Sequence, residues 1–313
     1  MSQRLLLSLL VVAVGCGGEN TNPQPVVQKL APPENGKQVM FGPFNVAGGK
    51  EVQLCRTMKL DNEEPVGIDR INVLLNQGSH HFILFRSDKD YPDQVFPCWG
   101  TVNFEEWDFM MDVNRTGGYD WKLPEGQGFV FKPHQQIMVQ SHYVNATTVQ
   151  SPDGGVAYMN LHYTAPENIQ HELHGLFTVN TRLSIPPRSN YSSSRLCTFS
   201  RTAQVVAMTG HFHARGKEFS VNLENEGTDM GRMYFSDNWD APVFQIYSPP
   251  KLMNANVEGL RFTCTYYNET DQYISFGGRA DVQEHCNLFL QYYNYEEKPG
   301  AAPLSCLQGS GGW

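Results

Sequence analysis

The stretch His211-Phe212-His213 places two imidazoles two residues apart. In an extended strand such side chains leave the same face, so both rings can reach one metal ion at about 2.0–2.1 Å. A His-x-His pair also arises in strands by chance. This one gains weight from three further stretches, Ser79-His80-His81-Phe82-Ile83-Leu84-Phe85, Gln140-Ser141-His142-Tyr143 and Glu284-His285-Cys286-Asn287. Together His80, His81, His142, His211, His213 and His285 suggest two three-histidine metal sites. His80 and His81 are adjacent, and a regular strand sends neighbours to opposite faces, so both reach one ion only at a strand end or a bulge. Gln140 shares a strand face with His142 and could orient that ring or its partner. The other histidines, His134, His162, His171 and His174, read as surface or hydrogen-bonding residues. Trp99, Trp107, Trp121, Trp239 and the Tyr292-Tyr293 pair read as core.

The elements that must carry these residues are strands. Ile137–Tyr143, Val156–Tyr163, Phe219–Leu223 and Asn287–Tyr293 are short runs of β-type and apolar residues. Glycine (28) and proline (19) punctuate the whole chain as turn residues, and no sustained 3.6-residue stripe is present. The expected fold class is all-β, with antiparallel sandwiches rather than an α/β fold. The strand ending at Thr164-Ala165 runs into Pro166, a boundary that divides the chain into 38–165 and 166–306, with a tail at 307–313. His80, His81 and His142 precede this boundary, and His211, His213 and His285 follow it. Each half is therefore expected to carry its own metal.

The chain has 313 residues, 40% of them apolar, which is enough for two real cores. Its net charge of −9, with no basic stripe, sets nucleic-acid binding aside. Residues 1–16 read as a targeting segment: Arg4 is followed by the apolar run Leu5–Val14, too short to span a bilayer. Ala13-Val14-Gly15-Cys16 resembles a bacterial lipobox, with Cys16 as the lipidated residue and 17–37, which opens on the polar Gly17–Pro25 stretch, as a tether. The expected location is the bacterial cell envelope, at the outer membrane or periplasmic face, with the lipid as the only membrane attachment. Cys55, Cys98, Cys197, Cys264, Cys286 and Cys306 remain, an even number that reads as three disulfides in an exported chain. Fifteen pairings stay open on composition alone. The sequons at Asn114, Asn145, Asn190 and Asn268 read as loop asparagines in a lipoprotein.

Over residues 38–306 the chain resembles the copper type II, ascorbate-dependent monooxygenases, the family of dopamine β-hydroxylase and peptidylglycine α-hydroxylating monooxygenase. The resemblance rests on the four histidine stretches and on Leu161-His162-Tyr163-Thr164-Ala165, Ile185-Pro186-Pro187-Arg188 and Cys264-Thr265-Tyr266, in order and spacing. It implies two jelly-roll-like β-sandwich domains flanking a solvent-filled cleft. It implies two copper ions: an electron-relaying one on His80, His81 and His142, and a catalytic one that includes His211 and His213 as ligands. It also implies the pairs Cys55–Cys98, Cys197–Cys306 and Cys264–Cys286, the last closing a loop of about 20 residues worth roughly 3 kcal/mol. The family has Glu-Met-Cys where this chain reads Glu284-His285-Cys286. An imidazole from His285 in place of that thioether shifts the donor set away from Cu(I). Peptide-amidating members carry an arginine where Thr209 stands and a tyrosine where Phe289 stands, so recognition of a C-terminal glycine is not expected.

The function implied is O₂-dependent hydroxylation of a small-molecule C–H bond, with ascorbate or another external electron donor. A copper-binding or copper-sequestering lipoprotein on the same scaffold is the alternative that the Met-to-His change favours. A zinc hydrolase is a weaker third reading, because no carboxylate stands out as a partner base.

Overall fold

The computed structural model describes residues 28–99, 102–146, 151–294 and 306. The targeting segment, Cys16, most of the tether and the 307–313 tail lie outside the described residues. Among the described residues the chain is strand and turn, with a single-turn 3-10 helix at Pro166–Asn168. Each strand expected from the sequence is present and extends beyond the expected bounds, as Gln136–Asn145, Ser151–Thr164, Gly216–Asn225 and Asn287–Asn294.

Four larger sheets build the molecule. The first runs Gly36–Val46, Ser151–Thr164, Val66–Leu75, Gln127–Phe131, His171–Glu172, with Gly117–Lys122 also paired to Val66–Leu75. The second runs Gln94–Pro97, Lys50–Lys59, Gln136–Asn145, Ser79–Ser87, Asp108–Val113. The third runs His174–Val179, Asn287–Asn294, Ala203–His211, Gln245–Met253, and the fourth Ser189–Thr198, Glu258–Asn268, Gly216–Asn225, Thr228–Ser236. Pairing is antiparallel except where His171–Glu172 joins Gln127–Phe131 in parallel. The chain beyond Pro166 thus first adds a short strand to an N-terminal sheet. The hairpin at Glu226-Gly227 has positive φ at both residues (46° and 84°), the two-residue turn whose twist matches antiparallel strands.

Face alternation explains the packing. In Ser79–Ser87, Phe82 and Leu84 enter the core shared with Val39, Ile71 and Val139 of the first two sheets. Ile83 and Phe85, on the opposite face, join Met138, Phe109 and Phe289 in a separate cluster. In Asn287–Asn294, Leu288, Leu290 and Tyr292 enter the C-terminal core with Phe219 and Phe262, while Phe289 points the other way. The second and third sheets therefore pack face to face, and strands buried on both faces read as unbroken apolar runs. Phe289 lies 5.2 Å from Phe109 and 4.5 Å from Phe177, centroid to centroid. The disulfides are Cys55–Cys98, Cys197–Cys306 and Cys264–Cys286, the same pairs that the resemblance implies.

Candidate metal centre

His81 sits directly opposite His142 in the ladder between Ser79–Ser87 and Gln136–Asn145. Its parity is that of Ile83 and Phe85, so its ring faces the junction between the sheets. The register slips between Ser79 and His81, which makes His80 the bulged residue. That bulge is the irregularity that two adjacent histidines require if they are to share a neighbourhood. The rings of His80 and His81 are 5.6 Å apart, and each is 5.1 Å from the ring of His142.

Two side chains orient this trio. Gln140 Oε1 accepts from His81 Nε2 at 3.2 Å, while its amide nitrogen points at the Cys55–Cys98 sulfurs. Glu51 Oε2 accepts from His142 Nε2 at 2.8 Å and from the Ala280 backbone N–H at 3.1 Å. With Nε2 donating in both rings, each presents Nδ1 as its free nitrogen, and neither Nδ1 has a hydrogen-bond partner among the described residues. Carboxylate and amide partners of this kind fix the tautomer of a metal-binding histidine.

The second set comes from the third sheet. His211 ends the strand Ala203–His211, opposite Asn287, and His213 follows in the turn. His213 Nδ1 donates to the Gln283 carbonyl at 2.9 Å, leaving Nε2 without a partner. Buried Glu284 holds that turn, accepting the backbone N–H groups of His213 and Arg215, each at 2.9 Å. Burial raises the Glu284 pKa to about 7, against the opposing effect of those N–H groups. His285 adjoins the Cys264–Cys286 bond, and its carbonyl accepts the Tyr266 hydroxyl. Its ring lies 4.3 Å from that of His213 and 5.4 Å from that of His211.

The resemblance implies a solvent-filled cleft between the two sets, and the structure differs. The rings of His80 and His211 are 4.8 Å apart, those of His80 and His213 5.4 Å, and those of His81 and His211 5.4 Å. The six imidazoles form one contiguous cluster, because the aromatic packing around Phe289 draws the two sheets together. Two trios offer ligand atoms within 4.8 Å of one another: His80, His81, His142 and His80, His211, His213. His80 belongs to both, and His285 falls outside both groups by donor-atom distance. Five of the six are buried, and His285 is half-buried.

Burial and mutual repulsion hold these rings neutral. Burial pushes His81 down to about 3 and His213 to about 4, and drives His80, His142, His211 and His285 well below the ordinary imidazole value. A neutral ring keeps a lone pair. The unpartnered buried atoms are His80 Nε2, His81 Nδ1, His142 Nδ1, both nitrogens of His211, His213 Nε2 and His285 Nδ1. So many buried polar atoms without partners are costly unless something binds them. Convergent imidazoles suit copper, zinc, nickel or iron. The donor set fits a metal.

Glu51, the Gln283 carbonyl and the bracing role of Glu284 escape a reading of the sequence. The local trace of Glu51 is its place with Gln53 and Cys55 on one face of the strand Lys50–Lys59. Trp107 and Trp121 are core, as expected, but Trp99 lies 5.4 Å from the His142 ring and Trp239 5.9 Å from the His80 ring. The four remaining histidines lie outside the cluster: His134 meets Glu63, His162 meets Asn72, and His171 and His174 pack against Tyr293 and Tyr292. Beside the cluster, between the second and third sheets, lies an apolar pocket of ≈ 120 Å³.

Over 183 residues the chain is 22% identical to MOXD1 homolog 1 of Drosophila melanogaster, a stretch that is 54% of this chain and 26% of that protein. The chain thus spans about a quarter of the length of that relative. Among solved structures, PBCV-1 VP54, fitted into a reconstruction of the virophage Sputnik, covers 84% of this chain and 95% of its own, at 9% identity and a TM-score of 0.29. The tandem CBM22 domains of Paenibacillus barcinonensis Xyn10C cover 77% and 83%, at 12% identity and a TM-score of 0.17. Likenesses this slight carry no argument. The C-terminal part of the chain, residues 173–307, matches the C-terminal domain of the copper type II ascorbate-dependent monooxygenases.

Proposed function

We propose that this chain is a copper monooxygenase that hydroxylates a small-molecule C–H bond. One oxygen atom of O₂ enters the C–H bond and the other leaves as water. Two electrons come from an external reductant such as ascorbate, and two protons complete the balance. The observation that carries this reading is the cluster of six imidazoles whose unpartnered nitrogens converge in a buried junction. Copper held there would supply one-electron redox cycling and activation of O₂.

His80, His81 and His142 would hold one ion, and His211 and His213, joined by His285, the other. His80 stands where it can serve either. Gln140 and Glu51 orient His81 and His142, and the Gln283 carbonyl orients His213. Glu284 keeps the turn that carries His213 in place. The phenylalanines around the neighbouring pocket give it apolar walls. His285 in the methionine position would give the second ion an all-nitrogen donor set and favour Cu(II) over Cu(I).

Three disulfides fit an oxidising compartment outside the cytoplasm. We extend the reading to a lipid on Cys16 that tethers the chain to a bacterial envelope, which mass analysis of the mature N-terminus tests. The deciding experiment measures metal content after purification without added metal, then anaerobic reduction by ascorbate, then O₂ uptake. Two copper ions and ascorbate-dependent O₂ uptake are expected. Copper that binds but takes up no O₂ after reduction would overturn the enzyme reading in favour of copper sequestration.

A further inference from the structure

We propose, resting on the monooxygenase reading of the same cluster, that the ligand bound beside the histidines is a neutral molecule of single-ring size carrying one hydrogen-bond donor. Amines, carboxylates and peptide termini are excluded as the buried group. The pocket adjoins the rings of His81, His211 and His285. Phe85 and Phe104 come to it from the N-terminal sheets and their loops, Phe177 and Phe289 from the third sheet. Phe104 meets Phe177 edge-on at 5.1 Å, so the pocket exists only where the two halves of the chain meet.

Chemistry decides the ligand class. Among the described residues, no Asp, Glu, Lys or Arg lines this pocket. A charged group buried there would lose its hydration and find no counter-charge. The polar groups are few and mostly committed. Gln53 donates to the Cys98 carbonyl at 2.8 Å, and Gln140 is engaged with His81 and the disulfide. Asn287 is 4% exposed, lines the pocket, and its Oδ1 has no hydrogen-bond partner among the described residues. With the imidazole nitrogens of His81, His211 and His285 given to metal, that oxygen is an acceptor left for a hydroxyl or ring N–H of the ligand.

Size follows from the volume. An apolar protein cavity of about 150 Å³ holds benzene, so ≈ 120 Å³ is close to the size of one compact ring, and a ring with one or two substituents needs the pocket to widen. Aromatic walls favour an aromatic guest, packed offset or edge-on.

The test is calorimetric titration of the full chain carrying its metal, without reductant, so that no turnover is involved. The probes are 4-methylphenol, toluene, tyramine and 4-methylbenzoate. Binding of 4-methylphenol ahead of toluene, with the two charged probes at least tenfold weaker, is expected. Asn287→Leu should weaken 4-methylphenol about tenfold, the value of a buried hydrogen bond, and leave toluene unchanged. Val102→Trp, at a half-buried position of the lining, should fill the pocket and abolish both. Equal or tighter binding of tyramine or 4-methylbenzoate overturns the proposal, as does 4-methylphenol affinity that Val102→Trp leaves unmoved. Failure of every neutral ring to bind, in protein that still consumes O₂ with ascorbate, overturns this ligand class and leaves the monooxygenase reading standing. Selective binding without any O₂ uptake supports the pocket assignment and overturns that reading instead.

Discussion

Replacing Glu51 with alanine removes the acceptor of His142. The Glu51 side chain is 8% exposed; one oxygen takes the His142 Nε2–H at 2.8 Å and the Ala280 N–H at 3.1 Å, and the other lies 3.4 Å from Arg279 Nε. Burial lowers the His142 pKa and raises that of Glu51, so the contact is a hydrogen bond from a neutral ring and not an ion pair. Loss of a partner that orients a metal-binding histidine typically costs 10–100-fold in metal affinity, about 1.4–2.7 kcal/mol. The two N–H groups left behind add about 1–3 kcal/mol each to the cost of folding. An open groove lined by Lys50, Trp99 and Arg279 adjoins Glu51, and water entering from it offsets part of that cost. Competitive titration against a Cu(I) chelator should show the trio of His80, His81 and His142 weakened, with the other site closer to wild type. Glu51→Gln keeps an acceptor and should recover most of the loss. Unchanged affinity in Glu51→Ala, or a loss confined to the His211–His213 site, would refute the assignment.

His80→Ala should weaken both metal sites, since His80 offers its nitrogen to both trios; a stoichiometry falling cleanly from two ions to one, with the remaining affinity intact, would show that His80 serves a single site. Asp112 is 1% exposed and burial raises its carboxyl from 3.8 to about 8. The folded chain therefore holds a proton that the unfolded chain gives up near pH 4, and stability should fall as pH rises between about 4 and 8, by up to about 1.4 kcal/mol per unit. Asp112→Asn should flatten that slope in urea titrations at pH 5 and 7, and an identical slope would refute the cause. Removing the Cys264–Cys286 bond by a double alanine substitution should cost about 3 kcal/mol and, read by X-ray absorption, disorder the His211–His213 site before the other; equal effects on both sites would contradict the role given to this loop.

A metal-bound junction also constrains motion. His80, His81 and His142 come from the second sheet and His211 from the end of a third-sheet strand, and His80 reaches across to His211 and His213. Binding a metal there favours the packed arrangement by its affinity for it. Stripping the metal should therefore loosen the Phe289 cluster as well as the histidines.

The strands, their face alternation and the ligand types were legible in the sequence because they are local. A period of two is set by the backbone, so Gln140 and His142 had to share a face wherever their strand lay, whereas the other strand ends at His211 and His213 follows in the turn. Adjacent His80 and His81 called for an irregular strand, and the bulge is there. The count of cysteines implied three bonds but left their partners open, and only the family resemblance chose among them. Tertiary structure alone decided what those faces meet. Glu51 reaches His142 across 91 residues of sequence. His80 stands between two ligand sets because the second and third sheets touch, and they touch where Phe109, Phe177 and Phe289 pack together. The pocket is walled by side chains from both halves of the chain. The physical reason is that local periodicity says which side a residue leaves the backbone, whereas the neighbour it finds depends on complementary surfaces brought together over the whole chain.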